Sequence, residues 1–394
     1  MTSALPLLLV LAASPAPTPS PAKAWPESTP RAEGLDPAPL DAFDRDLASG
    51  QYGYVDSMLV IRHGKVAYEK TYDHAADYAR LFSGKGAPGI YNYYDPGWHP
   101  FYKGTKLHTM QSVSKSVTSA LVGIAIGRGE IPGVDVKVMP YFADFRIATD
   151  PRRDRITLRD VLTMTTGIRW DEGSTEYTDP RNNCAVMEGK DDWVRYVLEQ
   201  PMAADPGRTF VYDSGATMLL SYLISKTTGK AADDYARDHL FEPLGIEFFW
   251  KRTPKGLSDA EGGLYLTPRD LAKIGLLYMQ DGVWDGRRIL PEGWARSSTQ
   301  PLVETNDRPF RYGYQWWVLP LAAGERRAGG GAERSEGRPP EKPADAYFAW
   351  GYGGQILLVV PKLDLIAVFT GWNIYDKPEL DPRVALERVL AALR

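Results

Sequence analysis

The stretch from Ser112 to Arg128 constrains the fold more than any other part of this chain. Val113, Val117, Ala120, Leu121, Val122, Ile124, Ala125 and Ile126 spread apolar side chains over nearly every face of a 3.6-residue period. A helix apolar all round has to be enclosed on all sides. Gly129 stands where a left-handed residue would end it. Enclosure needs further layers, and the sequence offers two kinds. Residues 57–62 are rich in β-formers, His63-Gly64 supplies a turn, and residues 65–72 alternate as a returning strand. Near the other end, residues 347–350, 355–360 and 365–370 read as antiparallel strands, with residues 361–364 as a turn.

Helical patterns fill the middle. Thr157-Leu158-Arg159-Asp160 resembles a capping box before a short helix ended by Gly167. Further helices are expected at 191–199, 215–228, 231–240 and 268–280, the last with Pro268 in its first turn. Shorter helical patterns stand at 40–47 and 382–393. The simplest architecture pairs the terminal strands in one antiparallel sheet. The expected class is therefore α/β of the α+β type: an antiparallel sheet flanked by helices, with an inserted all-helical domain. Residues 25–104 and 301–394 would form the sheet domain and 105–300 the mainly helical one. Residues 321–345, dense in Gly, Arg, Glu and Pro, read as a flexible insertion.

Composition excludes several function classes. The 394 residues are 43% hydrophobic and 24% charged, with a formal net charge of −4, so no general basic field attracts nucleic acid. Cys184 is the single cysteine, and the five histidines form no HExxH or HxH pair, which argues against a metal site. No segment is long and apolar enough for a membrane span. Residues 4–13 are a short apolar run, followed by a Pro/Ser-rich stretch ending in Ala22-Lys23-Ala24. Residues 1–24 therefore read as a signal peptide, and the mature chain is expected to be periplasmic or secreted.

Three motifs carry the chemistry. Ser112-Val113-Ser114-Lys115 is an S-x-x-K match at the start of the buried helix, where free N–H groups and the helix dipole favour negative charge. Lys115 lies one turn on, within reach of the Ser112 hydroxyl. Burial of its ammonium should pull its pKa down, so that it can act as a base or stabilise a neighbouring anionic base. The pattern alone recurs by chance, since Ser20-Pro21-Ala22-Lys23 matches it inside the leader. Ser112 as an ordinary N-cap and Lys115 as a side chain reaching solvent remain open readings. The second motif, Tyr212-Asp213-Ser214 before an apolar helix, can present a phenol and a hydroxyl to a cleft, or simply bury a satisfied tyrosine. The third, Trp350-Gly351-Tyr352-Gly353-Gly354-Gln355, enters a strand. Its glycines allow close approach of a substrate to backbone, or make a tight turn. With the N–H of Ser112, that of Gln355 can form an oxyanion hole.

In their order and spacing these motifs resemble the serine β-lactamase and penicillin-binding-protein superfamily, and more narrowly its class C-like branch of esterases and 6-aminohexanoate-dimer hydrolase. The likeness extends to residues 60–65, 156–167, 263–272 and 353–355, and so covers almost the whole mature chain. It implies Ser112 as nucleophile, Lys115 and Tyr212 as the proton-handling pair, and the Ser112 and Gln355 amides as the oxyanion hole, with no cofactor. Ser214, Tyr352, Gly353, Gly354 and Trp170 would contact a small-molecule substrate, and Asp171 and Tyr177 stand where they can line the same cleft. Two departures matter: Ser214 stands where the class C pattern often has Asn, and Tyr352 where the lactamases carry Lys or His. Tyr352 brings no positive charge, which weakens recognition of a β-lactam carboxylate. Lys226-Thr227-Thr228-Gly229 is one residue too long for the K-T-G element and reads as a helix terminus. The expected activity is hydrolysis of carboxylic esters or small amides through an acyl-enzyme. The alternatives are a β-lactamase or D-amino-acid peptidase, and a non-catalytic protein that binds cell wall or a partner.

Overall fold

The computed structural model describes residues 24–86, 89–177, 179–320, 345–374 and 379–394. The leader-like segment, apart from Ala24, and all but the last residue of the 321–345 insertion lie outside the described residues. The two ends of the chain do meet in one antiparallel sheet. Its eight strands are β1 (Val55–Arg62), β2 (Lys65–Thr71), β3 (Val303–Glu304), β4 (Arg311–Tyr312), β5 (Trp317–Pro320), β6 (Asp345–Gly351), β7 (Gln355–Val360) and β8 (Leu365–Gly371), in the spatial order β2-β1-β8-β7-β6-β5-β4-β3. The seam between the ends is β1 against β8, with Leu59 opposite Val368 and Val60 opposite Ala367.

Every residue of β7 and β8 is buried, because both faces of the sheet are covered. Ile356, Leu358, Val360, Ala367 and Phe369 pack with Leu40, Phe43 and Leu47 of the helix Pro37–Ala48 and with Leu386 and Val389 of the helix Pro382–Leu390. The alternate residues Leu357, Val359, Ile366 and Val368 face the larger core, shared with Leu271 and Ile274 of the helix Pro268–Met279. That helix lies close on the sheet: a Cβ on Gly275 would stand 3.0 Å from the Leu357 side chain.

The helix expected from residue 112 runs Val113–Gly127 and is buried through Ala125. Its glycine at 123 admits the Trp294 indole, to which a Cβ would approach within 2.5 Å. Thr157 and Asp160 form the expected capping box. The expected helices are found at Trp193–Glu199, Ser214–Thr228 and Pro268–Met279. Gly229 closes the second with a φ of 72°, so Lys226–Gly229 is a helix terminus. The 231–240 pattern is only partly α-helical: after Ala232–Ala236 the backbone widens into a π-helical turn, Arg237–Phe241.

The middle of the chain is not purely helical. His108–Thr109, Leu264–Leu266 and Phe248–Trp250 make a three-stranded sheet, and Val283–Trp284 pairs with Arg287–Arg288. Strands of two or three residues are too short to show an alternation in sequence. No described helix is long and apolar enough to cross a membrane.

Candidate active site

Ser112 immediately precedes the central helix with helical φ and ψ, and its side chain makes no capping bond. Its hydroxyl is engaged elsewhere: the Lys115 ammonium donates to Ser112 Oγ at 2.7 Å. Lys115 is 1% exposed, so it does not reach solvent. It also donates to the Glu261 carbonyl at 2.9 Å and to Glu261 Oε2 at 3.4 Å. The turn into the helix is bent by Gln111, whose φ of 47° is unusual for a non-glycine residue. The Gln111 side chain ties back to Thr109 Oγ1 at 2.8 Å.

The charge state of Lys115 reverses the expectation from burial alone. Desolvation pulls its pKa down, but Tyr212 and the carboxylates of Glu261 and Glu172 outweigh it and hold the ammonium above its ordinary range. Tyr212 lies with its ring centroid 5.2 Å from Lys115 Nζ. Burial pushes the phenol up, while the Lys115 charge and hydrogen bonding to Ser112 and Lys115 pull the other way, leaving it above its usual value. Its ring stacks on Trp317 at 5.8 Å. Hydroxyl, ammonium and phenol therefore form one coupled unit, which can take a proton from Ser112 once it has itself lost one.

A buried polar layer backs this unit. Glu172 accepts from Trp170 Nε1 at 2.5 Å, from the Ser214 amide at 2.9 Å and from Ser214 Oγ at 2.8 Å, and burial raises its carboxyl. Ser214 is thereby turned toward Glu172. Behind Glu261 stand Cys184, whose thiol lies 3.7 Å from Glu261 Oε1, and Glu188, to which Tyr93 donates at 3.2 Å. Cys184, Glu188 and Glu261 bring three ligand atoms within 4.8 Å of one another, the one group among the described residues with metal-like spacing. These donors already serve Lys115, Tyr93 and each other, which fits a hydrogen-bonded core layer better than an ion site.

The third motif is brought against the first by a close backbone contact. A Cβ on Gly351 would lie 2.4 Å from the Met110 carbonyl, so only glycine lets β6 approach the residues before Ser112. Gly353 and Gly354 turn the chain with φ of 84° and 100°. The Gln355 side chain, fully buried, donates to the carbonyls of Tyr352, at 3.2 Å, and Gly371, and braces that turn.

A cleft of about 1240 Å³ opens over Ser112. Of the residues singled out from sequence, Ser112, Trp170, Tyr212 and Tyr352 line it, as do Asp171 and Tyr177. Lys115 lies beneath Ser112 and away from the wall. Ser214, Gly353, Gly354 and Gln355 are also absent from the described lining: the Ser214 hydroxyl is occupied by Glu172, and the glycine turn is held back against Trp372, 3.0 Å from where a Gly353 Cβ would be. Sequence reasoning missed Glu172, Glu261 and Trp317. Glu261 stands two residues before the 263–272 segment, but a lone carboxylate in a loop carries no pattern.

The chain is similar to known proteins at three levels. It is 26% identical over 254 residues to the 6-aminohexanoate-dimer hydrolase of Paenarthrobacter ureafaciens, a match over 59% of this chain and 62% of that relative's length. Its fold is that of a candidate 6-aminohexanoate-dimer hydrolase from Bacillus anthracis, with a TM-score of 0.67 and 19% identity over 95% of this chain and 88% of the other. It is also that of a class C β-lactamase from Rhodobacter sphaeroides, with a TM-score of 0.57 and 17% identity over 90% and 98%. The β-lactamase family model itself matches residues 52–384, which takes in the Ser112 helix, Tyr212 and the glycine turn. The chain belongs to the β-lactamase family of hydrolases.

Proposed function

We propose that this protein is a serine hydrolase that cleaves carboxylic esters or small amides through an acyl-enzyme on Ser112. One observation carries the reading. Lys115 Nζ sits 2.7 Å from Ser112 Oγ, both at the start of a buried helix whose N-terminus faces an open cleft. Ser112 Oγ attacks the substrate carbonyl carbon and its proton passes to the Lys115–Tyr212 unit. The negative oxygen that forms is met by the helix N-terminus and the amide of Ser112. The tetrahedral carbon collapses, the bond to the leaving alcohol or amine breaks, and that group takes the proton held by the unit. Water, giving up a proton to the same unit, then attacks the acyl carbon. The acid leaves and the proton returns to Ser112 Oγ.

The test is initial-rate hydrolysis of p-nitrophenyl butyrate by the wild-type protein and by Ser112→Ala. Turnover that vanishes in the variant, with stoichiometric labelling of wild-type Ser112 by a fluorophosphonate, is the expected result. Comparable hydrolysis by both proteins would remove Ser112 from the mechanism. No labelling and no ester hydrolysis would turn the search to β-lactams and D-peptides.

A further inference from the structure

Among the described residues, the walls of the cleft over Ser112 carry a surplus of negative charge. Glu176, Asp307 and Glu379 line it with exposed side chains. Asp171 joins them, kept below the ordinary carboxylate range by its hydrogen bonds from Ser174. At the rim, burial and then the neighbouring Asp381 push the Asp307 carboxyl upward against the opposing pull of Arg383. Among the described lining residues the one basic side chain is Arg181, and its guanidinium is held at 2.6 Å by Asp179, which cancels it. A concave surface lined by one sign of charge concentrates counter-charged solutes and repels like-charged ones.

The same walls are aromatic. Tyr177 and Tyr352 stand with ring centroids 5.1 Å apart, and Trp317 and Trp350 at 6.2 Å, with Trp170 on the same lining. Ring faces attract ammonium groups through their quadrupole, most strongly where water is partly excluded. Tyr352 adds no positive charge at the mouth of the glycine turn. Carboxylates and ring faces thus converge on a single ligand chemistry.

We infer that the substrate is an ester or amide carrying an alkylammonium group, and that an acidic substrate is disfavoured in this cleft. The inference rests on Ser112 being the acylated nucleophile. It differs from that reading in concerning charge selection and not the bond cleaved.

Two isosteric pairs test it. One pair is butyrylthiocholine against S-(3,3-dimethylbutyl) thiobutyrate, which places the charge on the leaving group. The other is the p-nitrophenyl ester of 4-(trimethylammonio)butyric acid against that of 5,5-dimethylhexanoic acid, which places it on the acyl chain. In at least one pair kcat/KM for the cation should exceed that for the neutral isostere about tenfold or more at low salt. The ratio should shrink with added sodium chloride, and should fall in Glu176→Gln and Asp307→Asn. The p-nitrophenyl hemiester of glutaric acid should be the poorest substrate. Turnover of the neutral esters with no cationic advantage in either pair would overturn the inference and leave the hydrolase reading standing. If no ester is turned over, binding of choline and of 3,3-dimethylbutanol, followed by the fluorescence of the cleft tryptophans, decides it. Choline bound about tenfold tighter supports a cation site, and equal binding overturns it.

Discussion

At the scale of residues, the decisive contact joins two groups that the sequence keeps 146 positions apart, Lys115 and Glu261. The i, i+3 spacing is enough to put Lys115 beside Ser112, but the charge on Lys115 depends on carboxylates supplied by other segments. Because Glu261 stabilises the protonated ammonium, Glu261→Gln should lower the Lys115 pKa. In the proposed mechanism the unprotonated unit accepts the Ser112 proton, so the rise of kcat/KM with pH should begin at lower pH in this variant. A pH–rate profile with an unmoved limb would show that Glu261 does not hold that proton. Tyr212→Phe keeps the ring on Trp317 while removing the phenol, and should reduce kcat by about 10²- to 10⁴-fold with an unchanged circular dichroism spectrum. Residue types and spacing made Ser112, Lys115 and Tyr212 legible. Glu172 and Glu261 were not, since a carboxylate becomes part of a site only through what the fold brings to it.

At the scale of elements, the helices that bear the site are held by specific close fits. The helix Ser214–Thr228 is capped by Asp213, which accepts from the Ala216 amide at 3.0 Å. Burial and then the Glu172 charge push the Asp213 carboxyl up to about 8. Its folded pKa thus lies above its unfolded value near 4, so the stability it contributes is full below that value and is lost as pH rises through about 8. Asp213→Asn keeps a capping oxygen and removes this titration. Thermal melts should show the variant gaining on wild type between pH 5 and about 8, and parallel curves would refute the assignment. In the central helix, Gly123→Ala forces a methyl into the Trp294 indole. This should cost about 1–3 kcal/mol, seen as a lower Tm; an unchanged Tm would mean that Trp294 moves aside freely. Long helices with clear stops were readable from periodicity and caps. The strands of two or three residues were not, because tertiary contacts and not local pattern define them; the helix Ala75–Phe82 went unassigned although Tyr78 and Phe82 stand one turn apart on its buried face.

At the scale of the whole molecule, the sheet ties the chain ends together, and the site lies where helices from the middle meet its β6–β7 turn. Strands β7 and β8, buried on both faces, should open only with global unfolding. Hydrogen exchange followed by mass spectrometry should find residues 355–371 and 113–127 the slowest to exchange; early exchange there would place the stable core elsewhere. The sequence by itself determined the elements whose signals are local. These are a helix too apolar to be anything but buried, strands rich in β-branched residues at both ends, caps and glycine stops, and a serine and lysine one turn apart. Only the tertiary structure decided what depends on groups distant in the chain. It set the charge on Lys115, gave Ser214 to Glu172, and seated Gly351 on the Met110 carbonyl. It also gathered carboxylates and aromatic rings around one cleft. The physical reason is range: backbone preference and hydrophobic period act over a few residues, whereas burial and Coulomb interactions act through space between segments the sequence does not show as neighbours.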